Sequence, residues 1–151
     1  MRTLTALAAT GLLAPVILHT PAPAARADDC PDIEVVFARG TTEPLGLGRV
    51  GAAFVNDLRA RVGDRTVGTY GVNYPATYDF RTAADGANDM SSHVQYMMAN
   101  CPNTRLVLGG FSQGAAVVDV IAELPVPAAG FTLPLPASAP DHVAAIALFG
   151  N

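Results

Sequence analysis

The sequence predicts an α/β fold, a three-layer α/β/α sandwich around a central parallel sheet. Two observations carry this. Four short apolar runs alternate with three stretches of helical periodicity, in the order β-α-β-α-β-α-β. A Gly-x-Ser-x-Gly segment, Gly110 to Gly114, also lies where the third apolar run passes into the third helical stretch. Short strands that are almost wholly hydrophobic belong in parallel sheets covered by helices on both faces. Right-handed crossovers then bring every strand's C-terminal end to one edge, and function in such folds sits at that edge.

Each element has its own warrant. Ile33 to Ala38 reads Ile-Glu-Val-Val-Phe-Ala, a mostly buried strand. Val50, Ala53, Phe54, Leu58 and Val62 recur at helical spacing, which predicts a helix over about 48–62. Thr66 to Val72 is rich in β-formers. Ala83, Ala87, Met90, Val94, Met97 and Met98 mark a second helix that ends before Cys101-Pro102, because a residue before proline is pushed out of the α region. Arg105 to Leu108 is a short strand, Ser112 to Leu124 a third helix and Val143 to Phe149 the last strand.

Before the first strand the chain carries a leader. Met1-Arg2 is a short positive start, Leu4 to Leu18 is apolar, and Ala25-Arg26-Ala27 is a small-x-small cleavage site. That order is a secretory signal peptide over residues 1–27. The apolar run of about 15 residues contains Pro15 and falls short of the ~20 that a membrane span needs. No stable membrane anchor is therefore expected, and the faintly membrane-like mean hydropathy of +0.31 is largely the leader's. Cutting after Ala27 leaves residues 28–151 as one domain and removes Arg2 and Arg26, which takes the net charge from −4 to −6. All nine basic residues are arginine. An acidic balance argues against nucleic acid as a partner, and the chain is expected to be a secreted monomer.

Cys30 and Cys101 are the only cysteines, and an oxidising exterior makes them a disulfide. Neither His93 nor His142 has ligand spacing around it, so no metal and no cofactor are expected. Two loops stand out. Residues 73–81 carry Tyr74, Tyr78 and Phe80, and residues 125–140 hold five prolines with Phe131, Leu133 and Leu135. A proline-rich stretch is either a stiff connector or, if both loops leave the sheet near the serine, a wall for an apolar ligand.

The chemistry is announced by Leu106-Val107-Leu108-Gly109-Gly110-Phe111-Ser112-Gln113-Gly114-Ala115-Ala116. A serine on a sharp strand-to-helix turn lifts its hydroxyl clear of the backbone and strains its own φ/ψ. Side chains two residues to either side would collide with neighbouring strands, which demands Gly110 and Gly114. The following helix aims its free N–H groups and positive dipole end at a developing oxyanion.

Three segments together resemble the secreted cutinase family of serine esterases. They are Cys30-Pro31-Asp32 leading into a strand that ends Phe37-Ala38-Arg39-Gly40-Thr41-Thr42-Glu43, then Cys101-Pro102, then Gly110-Phe111-Ser112-Gln113-Gly114-Ala115. The resemblance implies an α/β-hydrolase-type fold without a large lid and hydrolysis of carboxylic esters. It implies Ser112 as nucleophile, and the N–H groups of Thr41 and Gln113 as the oxyanion hole, assisted by the Thr41 hydroxyl. Many members have serine where this chain has Thr41. The resemblance also matches Cys30–Cys101 to the family's N-terminal disulfide. Arg39 reads as a structural arginine paired with an acid such as Glu43.

The order Ser…Asp…His demands partners after Ser112. Asp119 lies seven residues into the serine's own helix, about 10 Å away along its axis. Asp141-His142 precedes the last strand and so falls at the opposite sheet edge. His93 reads as a solvated histidine on a helix flank. By resemblance the acid and histidine lie beyond the strand ending at Phe149, so the chain is expected to be the front part of an esterase, inactive by itself. The alternative is a secreted, non-catalytic binding protein that keeps the turn as scaffold.

Overall fold

A computed structural model describes residues 30–150. The leader expected over residues 1–27 lies outside the described residues. Strands β1 (Ile33–Ala38), β2 (Val67–Gly71), β3 (Arg105–Phe111) and β4 (Val143–Phe149) alternate with helices α1 (Gly48–Arg61), α2 (Ala83–Asn100) and α3 (Gln113–Glu123). Every pairing is parallel and the sheet order is β2-β1-β3-β4. Among the described residues, no helix is long and apolar enough to cross a membrane.

The period of two along the central strands divides the core between the faces. Val36, Ala38, Leu106 and Leu108 face α2 and α3, where they meet Met90, Val94, Val117 and Ile121. Val35, Phe37 and Val107 face α1, where they meet Val55, Phe54 and Leu58. Phe37 fills this second core, with Phe54 and Phe149 tilted against it at 6.3 and 6.2 Å. Its ring also explains two glycines. A Cβ at Gly51 or at Gly109 would stand 2.5 Å from it.

The expected elements all form, with one instructive difference. β3 runs on through Gly109 and Gly110 to Phe111 rather than stopping at Leu108. Glycine lowers strand propensity, yet here the central strand has room for nothing larger between Phe37 and α3. The Cys30–Cys101 disulfide is present and ties the start of β1 to the end of α2.

His93 departs from the expectation of a solvated flank. It faces β1, where its Nε2 is hydrogen-bonded to the buried Glu34 carboxylate, and its ring stacks on Tyr70 at 3.6 Å. The Tyr70 hydroxyl donates in turn to Asp89 at 3.0 Å. Helical periodicity places His93 on a polar stripe. Only β1, which carries a glutamate in an otherwise apolar strand, converts that stripe into a buried contact.

Candidate active site

β3 delivers Ser112 to the C-terminal edge of the sheet, and α3 begins at the next residue. Ser112 has φ 52° and ψ −116°, a left-handed conformation that costs a non-glycine residue about 1–3 kcal/mol. The neighbours over-determine it. Its N–H donates to the carbonyl of Phe149 on β4 at 2.9 Å, and its carbonyl accepts from Ala115 at 2.8 Å. A Cβ on Gly110 would overlap the Gly114 carbonyl, and one on Gly114 would overlap the Ala38 carbonyl. The two glycines of the motif are therefore the gaps through which α3 approaches β1 and β3.

The segment after β1 reaches the same edge. Gly40 N–H donates to a Glu43 carboxylate oxygen at 2.8 Å, and the other oxygen accepts from Arg49 N–H at 3.0 Å in the first turn of α1. Thr42, at φ 61°, donates its N–H to the Ala76 carbonyl at 2.8 Å. Between these anchors sits Thr41, whose hydroxyl donates to Gln113 Oε1 at 3.2 Å. The structure thus brings Thr41, Ser112 and Gln113 together from two elements 72 residues apart. Among the described residues, neither the Thr41 nor the Gln113 backbone N–H donates to a protein acceptor.

Arg39 is buried, at 3% exposure, but it does not pair with the Glu43 carboxylate. Its guanidinium donates to carbonyls instead, to Glu43 at 3.1 Å, Val72 at 3.3 Å and Tyr74 at 2.7 Å. The Glu43 carboxylate is already occupied by Gly40 and Arg49. The arginine is structural, as its sequence suggests, but its partners are main-chain carbonyls, those of Val72, Tyr74 and Pro75 in the loop after β2 and that of Glu43.

The expected aromatic wall divides. Tyr74 is only 4% exposed and belongs to the core, where burial pushes its phenol up to about 12. Tyr78 and Phe80 stay open to solvent at 82% and 57%. The Pro125–Pro140 segment is packed onto the domain. The segment leaves the far end of α3, and the Asn88 side chain holds it against α2 by donating to the Gly130 carbonyl and accepting from Thr132 N–H. Phe131 is buried in the core, and Leu135 lines an apolar groove of about 460 Å³ with Ile121, Leu124, Val143 and Ile146, away from Ser112. Chain order alone placed this loop after a helix without showing how tightly α2 would hold it.

Both histidines of the described residues stand at the other end of the sheet. His142 accepts from Leu106 N–H through its carbonyl, and His93 reaches Glu34, whose register partner is Leu106. From Leu106 to Ser112 along β3 is about 20 Å. Among the described residues no group of three or more acidic, histidine or cysteine side chains is placed to hold a metal ion.

A strained serine between a parallel strand and a helix, with two open N–H groups beside it, is the arrangement of an α/β-hydrolase-like protein. The chain belongs to the cutinase family, whose model, described as Cutinase, matches residues 29–151. It is 61% identical to the phospholipase Culp4 of Mycobacterium tuberculosis over 99% of this chain and 66% of that protein. It is 55% identical to the probable carboxylesterase Culp3 of the same organism over 85% of this chain and 49% of that protein. The chain thus spans about half to two thirds of the length of these relatives. Among solved structures it resembles an acetyl xylan esterase, with TM-score 0.67 and 30% identity over 80% of this chain and 63% of that one. A Trichoderma reesei cutinase in complex with a phosphonate inhibitor matches with TM-score 0.65 and 35% identity, over 79% of this chain and 51% of that one.

Proposed function

We propose that the protein is a secreted serine ester hydrolase of the cutinase type, acting on carboxylic esters with an apolar acyl chain and needing no cofactor. The observation that carries this reading is Ser112 at φ 52° beside the open N–H groups of Thr41 and Gln113. In the reaction, Ser112 Oγ attacks the ester carbonyl carbon, and the carbonyl oxygen becomes the anion that those two N–H groups receive. Loss of one such donor removes roughly 3 kcal/mol of transition-state stabilisation. Exposed Tyr78 and Phe80 offer the acyl chain an apolar surface at the same edge of the sheet.

The proton of Ser112 needs a histidine oriented by an acid. His93 and His142 are about 20 Å too far along β3, so on this reading the base and its acid lie outside the described residues. Removing the base costs on the order of 10⁴- to 10⁶-fold, and residues 1–151 alone are then nearly inactive. Secretion is supported by the Cys30–Cys101 disulfide, which persists in an oxidising compartment.

The test is hydrolysis of short p-nitrophenyl esters by the secreted product of the full gene, with Ser112→Ala as control, and labelling of Ser112 by a fluorophosphonate. Turnover that Ser112→Ala abolishes supports the reading. A gene that stops at Asn151, with no hydrolysis and no labelling, makes the protein a binding protein on a hydrolase scaffold instead.

A further inference from the structure

We propose that Phe111 is a positioning residue, whose ring packs on Gly40 and thereby sets where the Thr41 N–H stands relative to Ser112. The inference rests on the ester-hydrolase reading of Ser112 and adds to it a residue that touches no substrate. Val107, Gly109 and Phe111 share the face of β3 that looks toward α1, since side chains alternate along a strand. On that face β1 and β3 interlock. The Phe37 ring of β1 fills the space over Gly109, and the Phe111 ring of β3 fills the space over Gly40, two residues past the end of β1.

The fit is close. A Cβ on Gly40 would stand 2.6 Å from Phe111 Cδ1 and 3.0 Å from Cε1, and one on Gly150, past the end of β4, would stand 3.1 Å from Cε2 at the opposite edge of the ring. Gly40 is not among the glycines with positive φ. The ring therefore asks for a small residue there, whereas the backbone does not.

The loop after β1 has three other anchors, all on the side of β2 and α1. Arg39 donates to the Val72 and Tyr74 carbonyls, Gly40 N–H to Glu43, and Thr42 N–H to the Ala76 carbonyl. None of these refers to β3, which carries Ser112. The contacts that do so bracket the serine: Gln113, after it, meets the Thr41 hydroxyl, and Phe111, before it, meets Gly40. A hydroxyl contact can lengthen or turn, whereas a ring packed against a Cα cannot be compressed and passes any displacement on. The Gly40–Thr41 peptide is a rigid plane that includes both the Gly40 Cα and the Thr41 N–H. The ring that stops Gly40 therefore places that donor, which has to stand about 3 Å from the oxyanion.

Kinetics on the full gene product test this. Phe111→Ala should lower kcat by about 10²-fold at nearly constant KM, because an oxyanion donor acts only in the transition state. Phe111→Leu, the substitute should Phe111→Ala not fold, should lose about 10-fold. Phe111→Tyr, which keeps both edges of the ring, should recover most of the loss. Gly40→Ala should fail like Phe111→Ala, since its methyl meets the ring. The double variant of Gly40→Ala with Phe111→Ala should be no worse than either alone, because the methyl enters the space that the ring vacates. Losses that multiply in the double variant overturn the proposal, and so does a Phe111→Ala protein that unfolds earlier in urea with kcat unchanged.

A second measurement needs no turnover. An aromatic ring displaces the resonances of protons beside it. In protein labelled with ¹³C at glycine Cα, the Gly40 and Gly150 signals should move in Phe111→Leu, while those of Gly63, which has no neighbour within 4 Å of its Cβ position, should stay. Gly40 signals indifferent to Phe111→Leu overturn the contact. Hydrolysis with an intact kcat in Phe111→Ala overturns the positioning role alone and leaves the reading of Ser112 standing. A parent protein that neither hydrolyses esters nor labels at Ser112 overturns both.

Discussion

Tyr74 and Arg39 hold each other at both ends. The Tyr74 hydroxyl donates to the Arg39 carbonyl, while the Arg39 guanidinium donates to the Tyr74 carbonyl at 2.7 Å and lies 5.2 Å above the tyrosine ring. Because Arg39 immediately precedes Gly40 and Thr41, this reciprocal pair fixes the start of the loop that faces Ser112. It does so from a residue 35 positions away.

Removing either half should loosen that loop. Tyr74→Phe keeps the ring and loses one hydrogen bond, and should cost about 1–2 kcal/mol in urea denaturation. Arg39→Met strips donors from the carbonyls of Val72, Tyr74 and Glu43 together and should cost about 3 kcal/mol or more. Equal and small losses in the two variants would show that the pair does not brace the loop.

The same tyrosine gives the protein an alkaline limit. Burial raises the Tyr74 phenol to about 12, against the opposing charge of Arg39 and with a further push from Glu43. A raised pKa means the fold favours the protonated phenol. The stability tied to it is intact below pH 10 and is lost as the pH climbs from 10 toward 12. The melting temperature should fall across that window, and Tyr74→Phe should make the fall shallower. A slope unchanged by the substitution would refute this.

The turn at Ser112 stores strain that can be read in stability. Ser112→Gly should exceed Ser112→Ala by about 1 kcal/mol, since only glycine adopts φ 52° freely. Gly114→Ala should instead cost about 4 kcal/mol or more, because its methyl would meet the Ala38 carbonyl on a central strand. Denaturation midpoints at constant slope decide both, and a Gly114→Ala protein as stable as the parent would refute the packing argument.

The disulfide spans 71 residues, which in the chain-entropy model is worth about 4 kcal/mol. Reduction, or Cys30→Ala with Cys101→Ala, should lower stability by about that amount while leaving α-helical circular dichroism intact below the new midpoint. A loss under about 1 kcal/mol would mean that the unfolded chain is already constrained there.

Much was legible along the chain. The alternation of apolar runs and helical stretches specified the order and type of every strand and α-helix, though not the short 3-10 turns at Phe80–Thr82 and Ala139–Asp141, and Gly110, Ser112 and Gly114 specified the nucleophilic turn, because both signals are local. The exact end of β3 was not, because Gly109 and Gly110 look like loop residues until Phe37 and α3 are packed against them.

Contacts between distant residues were beyond that reading. Tyr74 looks like a surface aromatic in a loop, Arg39 like a partner for Glu43, and His93 like a solvated flank. Each was reassigned by what the sheet brought beside it: the Arg39 carbonyl, the 72–76 backbone and Glu34. Sequence by itself determined the elements, the nucleophilic turn and the cysteine pair, since backbone sterics and side-chain periodicity act within a few residues. Tertiary structure alone decided which polar groups met, because a buried donor takes the acceptor that packing places within about 3 Å of it, wherever that acceptor lies in the chain.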